Sequence, residues 1–248
     1  SEMCIRDSFY ERLVESDQLP TTSQATPAAF DKEYAAVRAA GDSAVVLTIA
    51  SDFSGTYQSA CIAAAEYDNI FVVDSRSAAI GAGILAEYAL QCVEQGMDAR
   101  AIAEALVEKR GKICLVALLD TLEYLKKGGR ISKTAGAIGT LLNICPLLNM
   151  DDEGHLIPRQ KIRGKKAVIQ QIVKEMENHA QGGHDYNGKC FISMSACMDD
   201  ARAVADLVEE KFPHLNGKVM INNIGTTIGS HTGPGTVALF FWGDERTH

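Results

Sequence analysis

No Cys-x-x-Cys pair occurs in this chain, and its seven cysteines stand singly at Cys4, Cys61, Cys92, Cys114, Cys145, Cys190 and Cys197. An odd number at unpaired spacings argues against a disulfide framework and for reduced thiols, so a cytoplasmic location is expected. The six histidines lack ligand spacing, and neither a metal nor a cofactor is expected. No Gly-x-x-x-x-Gly-Lys-Ser/Thr loop is present, and no Gly-x-Gly-x-x-Gly follows a strand, which removes the two common phosphate-cradling signatures. A Gly-x-Ser-x-Gly elbow is missing too. Long apolar runs are absent: Ala44–Ala50 and Val237–Trp242 fall far short of the ~20 residues that cross a bilayer. No secretory leader is recognisable. Basic residues are outnumbered 24 to 32, for a net charge of −8. That balance disfavours nonspecific binding to nucleic acid and to anionic membranes.

What is present is a regular alternation of strands and helices, and 248 residues suit two α/β lobes. The division is expected near Gly111, giving lobes 1–111 and 112–248. In the first, Thr26 and Pro27 open a helix that carries Phe30, Tyr34 and Val37 and stops at Gly41. Apolar strands Ala44–Ala50 and Ile70–Val73 alternate with helices Thr56–Tyr67, Ala79–Gln95 and Asp98–Arg110. This predicts a mostly parallel, doubly wound sheet. In the second lobe, strand Lys112–Leu118 leads to a short helix, Asp120–Lys127, closed by Gly128 and Gly129. An apolar segment, Ala135–Leu148, follows. A turn at Met150–Gly154 returns the chain as His155–Arg163. Helix Lys165–His179, strand Cys190–Ser195, helix Asp199–Phe212 and strands Val219–Ile224 and Thr236–Trp242 complete a mixed or antiparallel sheet with helices. Residues Ser1–Asp7 (SEMCIRD) match one translated frame of a common sequencing adapter. They are expected to be an artefact standing in place of a lost first strand.

Chemistry concentrates in three loops. Gly225–Gly235 (GTTIGSHTGPG) carries four glycines and His231 directly ahead of a buried strand. It reads either as a cradle for an anionic head group or as a glycine-rich hairpin with a structural histidine. Ser51–Thr56 (SDFSGT) opens a helix, so its N–H groups with Ser54 and Thr56 suit an anion, or Ser54 and Thr56 serve only as caps. Thr21–Gln24 (TTSQ) offers more polar side chains than one cap needs. Arg163 ends a strand in KIRGKK, where Lys165 and Lys166 read as a solvated helix start. Thr22, Ser54, Arg163 and His231 together suit a carboxylate or phosphate. Ser54 with His231 also fits a nucleophile and its base, with no acidic residue assignable to orient the imidazole.

Five stretches in this order resemble the DegV family of bacterial lipid-binding proteins: Pro20–Gln24 (PTTSQ), Ser51–Ala60 (SDFSGTYQSA), Val72–Ser75 (VVDS), Leu119–Ser132 (LDTLEYLKKGGRIS) and Ile228–Gly235 (IGSHTGPG). The resemblance implies a long-chain fatty acid in a tunnel between two α/β lobes. It also implies, as in some members, an acyl-carrying subunit of a fatty-acid kinase. There the partner kinase phosphorylates the carboxylate, giving an acyl phosphate for phospholipid synthesis. By this resemblance the head-group contacts fall on Thr22, Ser54, Arg163 and His231, with Ser23 and Gly55 beside them. Two substitutions depart from the pattern, Asp52 for a serine and Cys145 for a common lysine, and the usual opening strand with Thr-Asp-Ser is missing. Small-residue tracts Ala60–Ala65, Ala78–Gly83 and Ala135–Gly139 suit either a lipid tail or close packing. The cluster Lys126, Lys127, Arg130 and Lys133 suits either a partner surface or a solvated face. The expected protein is a non-catalytic fatty-acid carrier. The alternative is a small hydrolase or phosphotransferase using Ser54 and His231.

Overall fold

The computed structural model describes residues 2–16, 18–131 and 144–246. They form two units. The N-terminal unit holds Ser23–Gly111 and Asp152–His155; the C-terminal unit holds Ser1–Thr22, Lys112–Asp151 and Leu156–His248. Two segments of this grouping lie apart from the chain order. Helix α1 (Glu2–Glu15) joins the C-terminal unit, where the buried Tyr10 hydroxyl donates to the Ile224 carbonyl at 3.0 Å. The turn at 152–155 joins the N-terminal unit, where Arg76 Nη1 donates to the Asp152 carbonyl at 2.8 Å.

In the N-terminal unit, α2 (Pro27–Ala40) starts where the Thr26 hydroxyl accepts from the Ala29 N–H, and stops at Gly41 with φ 74°. Strands β1 (Ala44–Thr48) and β2 (Ile70–Asp74) pair in parallel, Ala44 opposite Ile70 and Val46 opposite Val72. Helix α3 (Thr56–Ala64) connects them, and α4 (Ile80–Glu94) and α5 (Ala99–Lys109) follow. Strand residues point alternately to the two faces. Ala44, Val46, Ile70 and Val72 therefore pack together with Tyr34 of α2 and Ala63 of α3. Phe71, pointing the other way, lies under the Arg100 guanidinium of α5 at 4.8 Å. The sheet is thus covered on both faces, as a parallel doubly wound arrangement requires. Residues Ala44–Leu47 are only half-buried, because among the described residues β1 has one strand neighbour.

The C-terminal unit is built on β3 (Ile113–Leu118), α6 (Glu123–Lys127), β4 (Ile144–Met150), β5 (Leu156–Arg163), α7 (Lys165–His179), β6 (Phe191–Ser195), α8 (Met198–Lys211), β7 (Met220–Asn223), α9 (Thr226–Thr232) and β8 (Thr236–Trp242). Its six strands run in the order β5-β4-β3-β8-β6-β7, antiparallel except for the β6–β7 pair. Alternate residues Cys114, Val116 and Leu118 of β3, with Val237, Leu239 and Phe241 of β8, meet Val168, Ile172 and Met176 of α7 and Val204 and Val208 of α8. Each such side chain, fully removed from water, contributes about 1.5–3 kcal/mol. Those α7 residues lie at i, i+4, i+8, the stripe that an amphipathic helix turns to a core. The apolar stretch expected from Ala135, together with Lys133, lies outside the described residues up to Ile144. No helix among the described residues is long and apolar enough to cross a membrane.

Candidate functional site

The stretch ahead of β8 folds differently from the open loop its glycines suggested. Thr226–Thr232 is a short helix, α9. Its hydroxyl side chains turn back on the helix itself: Ser230 Oγ donates to the Thr226 carbonyl at 2.8 Å and Thr232 Oγ1 to Ile228 at 3.3 Å. Gly229 is there for proximity, since a Cβ would collide with the Tyr10 hydroxyl. Gly233 ends the helix at φ 72°, with the Tyr124 ring filling the space a side chain would take. Ser195 then clamps the exit. Its hydroxyl donates to the Gly233 carbonyl at 2.6 Å and accepts from the Thr236 N–H at 3.1 Å.

This scaffold places His231 in the last turn of α9, half-buried, with Nε2 2.7 Å from Thr22 Oγ1. The two residues are 209 positions apart, and the structure brings them together. The other ring nitrogen, Nδ1, is buried and has no hydrogen-bond partner among the described residues. It faces Gly128, where a Cβ would strike it. Burial, and secondarily the positive charge of Arg130, hold the imidazole below its ordinary value of 6.5. His231 is therefore neutral at neutral pH and works as a hydrogen-bonding group. With the proton on Nε2 it donates to Thr22, whose own hydroxyl proton is then free for a ligand oxygen. Beside Thr22 opens a cavity of about 380 Å³, lined by Phe9, Arg12, Pro20, Thr226, Thr227 and Ser230 among others. A neutral imidazole, a hydroxyl and nearby guanidinium charge form a donor set for an anion.

Of the remaining expected residues, Ser23, Ser54 and Gly55 belong to the N-terminal unit and Arg163 to the C-terminal unit. Ser23 is exposed at the start of the N-terminal unit. Ser54 Oγ lies 2.8 Å from Thr56 Oγ1 and accepts from the Thr56 N–H at 3.2 Å, a local hydroxyl turn just ahead of α3. Gly55 occupies the N-cap position, with the Gln24 amide so close that an added Cβ would displace that side chain. Gln24 in turn donates to Ser59 at 3.0 Å. Asp52, the acidic departure in this loop, faces His155 at 3.4 Å within the same unit. Arg163 is exposed at the end of β5, paired with Ile144 of β4 through the strand ladder.

Lys165 is no solvated helix start. Its ammonium bonds Asp120 and, at 3.0 Å, Asp200. Burial works against the charge, but the two carboxylates outweigh it and push the group up to about 12. Lys166 stays exposed, as expected. Residues that sequence reasoning did not connect with this site are Gly128, Arg130, Tyr10 and Tyr124, which lie beside α9 or act on its histidine. The signal was available for three of them, since Tyr124, Gly128 and Arg130 fall inside the LDTLEYLKKGGRIS motif.

A family model described as an uncharacterised protein of the DegV family matches residues 2–244. A DegV domain-containing protein of Clostridium perfringens is 37% identical over 245 residues, covering 96% of this chain and 82% of that relative. A fatty acid-binding protein of Thermotoga maritima is 32% identical over 238 residues, covering 94% of this chain and 80% of its own length. Among solved structures, a DegV family protein of Thermus thermophilus, described for its fatty acid binding, is similar with a TM-score of 0.85 and 29% identity. That match covers 96% of this chain and 84% of the other.

Proposed function

The chain belongs to the DegV family, and from that membership we propose that it binds a long-chain fatty acid and presents the carboxylate to a partner kinase. The observation that carries this reading is the half-buried Thr22–His231 pair, a neutral donor set beside a cavity. Fatty-acid binding by relatives at about 30% identity supports it. Ser23, Ser54, Gly55 and Arg163 are the further head-group contacts, as the family pattern implies. An acyl chain contributes about 0.8 kcal/mol for each CH₂ buried, so a long chain supplies ample affinity once its carboxylate is satisfied. The protein itself does no chemistry. In the kinase step a carboxylate oxygen attacks the terminal phosphorus of ATP, the bond to the β-phosphate breaks, and ADP leaves. The acyl phosphate stays with the carrier for phospholipid synthesis in the cytoplasm.

Intact mass under native conditions tests the binding. A mass excess equal to a long-chain fatty acid, lost on denaturation and solvent extraction, is the expected result. A folded protein that stays empty after incubation with oleate and palmitate overturns the reading and directs attention to Ser54 and His231 as an enzyme's groups.

A further inference from the structure

Helix α1 presents two different faces. Tyr10 and Leu13, three residues apart, are buried, and the Tyr10 hydroxyl ties the helix to the Ile224 carbonyl at 3.0 Å. Ser8 and Arg12, four residues apart and exposed, line the cavity beside Thr22 together with Phe9. The rest of the lining is Pro20 and Thr21 from the segment after α1, and Thr226, Thr227 and Ser230 from α9. Seven of these nine residues carry a hydroxyl or a guanidinium, and only Phe9 and Pro20 are apolar. Such a lining does not suit an acyl tail, which gains its affinity from apolar surroundings. Thr22 and the buried Ser230 form the floor, whereas Ser8, Arg12, Thr21 and Thr227 are exposed at the rim. A volume of about 380 Å³ falls within the range of small-molecule sites, about 300–1,000 Å³, and holds more than a carboxylate.

We propose that this cavity is a phosphoryl subsite: Arg12 and the hydroxyls of Thr21, Thr226 and Thr227 hold the phosphoryl group of the acyl phosphate, next to the Thr22–His231 pair. This rests on reading that pair as the carboxylate site. On transfer a carboxylate oxygen forms the new bond to phosphorus, the bond from phosphorus to the bridging oxygen of the β-phosphate breaks, and that oxygen leaves with ADP. The head group thereby passes from one negative charge to about two and gains three acceptor oxygens. A neutral imidazole and one hydroxyl match the first state and not the second. Arg12 supplies the additional positive charge, in a fork of N–H groups that spans two phosphoryl oxygens. The threonine hydroxyls supply the remaining donors. Ser230 is not among them, because its hydroxyl donates to the Thr226 carbonyl at 2.8 Å. The exposed rim lets the terminal phosphate of a nucleotide reach the same place before transfer.

The experiment compares palmitate with its β-keto phosphonate analogue, in which a CH₂ replaces the bridging oxygen of the acyl phosphate and prevents hydrolysis. Displacement of a fluorescent fatty acid gives both affinities for delipidated wild type, Arg12→Gln, Arg12→Lys and Thr227→Val. The deciding quantity is the preference for the phosphonate over palmitate. Arg12→Gln should lower it about tenfold or more, and Arg12→Lys, which keeps the charge without the fork, by less. Thr227→Val should lower it severalfold, and this exposed position carries the test if the glutamine variant does not fold. A wild type that binds palmitate but not the phosphonate overturns the proposal alone, as does a preference unchanged in both Arg12→Gln and Thr227→Val. A wild type that takes neither ligand overturns the carrier function and this proposal with it.

Discussion

Replacing Thr22 with valine keeps the shape of the side chain and deletes the one hydroxyl that meets His231 Nε2 at 2.7 Å. Two consequences separate cleanly. In the folded protein, Nδ1 already lacks a partner, and the substitution leaves Nε2 without its hydroxyl partner as well. Leaving one such group unsatisfied costs about 1–3 kcal/mol where it is buried. His231 is only half-buried, so the lower end of that range applies, and the midpoint of thermal unfolding should fall by about 2–4 °C. In the proposed complex, the lost hydroxyl is a donor to the carboxylate. Hydrogen bonds to charged groups contribute about 1.5–3 kcal/mol, so affinity should fall about 10- to 150-fold. Thr22→Ser restores the hydroxyl and should recover most of both losses. Thermal unfolding of the delipidated protein measures the first quantity, and displacement of a fluorescent fatty acid the second. Affinity within twofold of the wild type for Thr22→Val would refute the assignment of Thr22 to the head group, whatever happens to stability.

Ile172→Ala removes a fully buried side chain between α7 and the sheet, and should cost about 2–5 kcal/mol in urea unfolding with no direct effect on ligand contacts. Lys165→Met breaks the tie between Asp120 and Asp200 and leaves two carboxylates facing each other. Because the site is about one-third exposed, a modest loss of about 1 kcal/mol is expected, read as a lower urea midpoint that high salt partly restores. The pH dependence follows from His231. Its folded value lies below 6.5, so as pH falls through the unfolded value the unfolded chain takes up a proton that the folded chain resists. Stability should therefore decline from about pH 7 downward until the folded value is reached, and His231→Gln should flatten that part of the urea-midpoint profile.

Locally coded elements were legible from the sequence, and long-range contacts were not. Helix α2 runs over the expected residues because Thr26, Pro27 and Gly41 set its ends through their own backbone requirements. Helix α7 does the same, its stripe of Val168, Ile172 and Met176 announcing one buried face. Helix α9 was hidden because its glycines imply loop by local preference. Gly229 is glycine because Tyr10 lies against it, and Tyr10 is more than two hundred residues away in sequence. Lys165 shows the same limit: among four cations in six residues nothing marks the one whose partners, Asp120 and Asp200, are supplied by distant segments. At the candidate site, the residue types of Thr22 and His231 were readable from their motifs, whereas their contact and the orphaned Nδ1 are properties of the fold.

Four separate segments hold His231 in place. Thr22 meets Nε2, Gly128 faces Nδ1, Tyr10 of α1 packs against α9, and Ser195 of β6 fixes the turn into β8. None of these contacts survives local unfolding of its own segment, so the donor set exists only when the C-terminal unit is assembled. The short α9, with its hydroxyls bonded inward and one ring nitrogen unsatisfied, gains little stability by itself. Its geometry is imposed by β8 and by the packing beneath it. Ligand binding at such a site is necessarily linked to folding of that unit: an anion that binds only the assembled form stabilises it by RT ln(1 + [L]/Kd). A loaded carrier should thus resist unfolding more than an empty one, and the resistance should disappear with the Thr22–His231 contact.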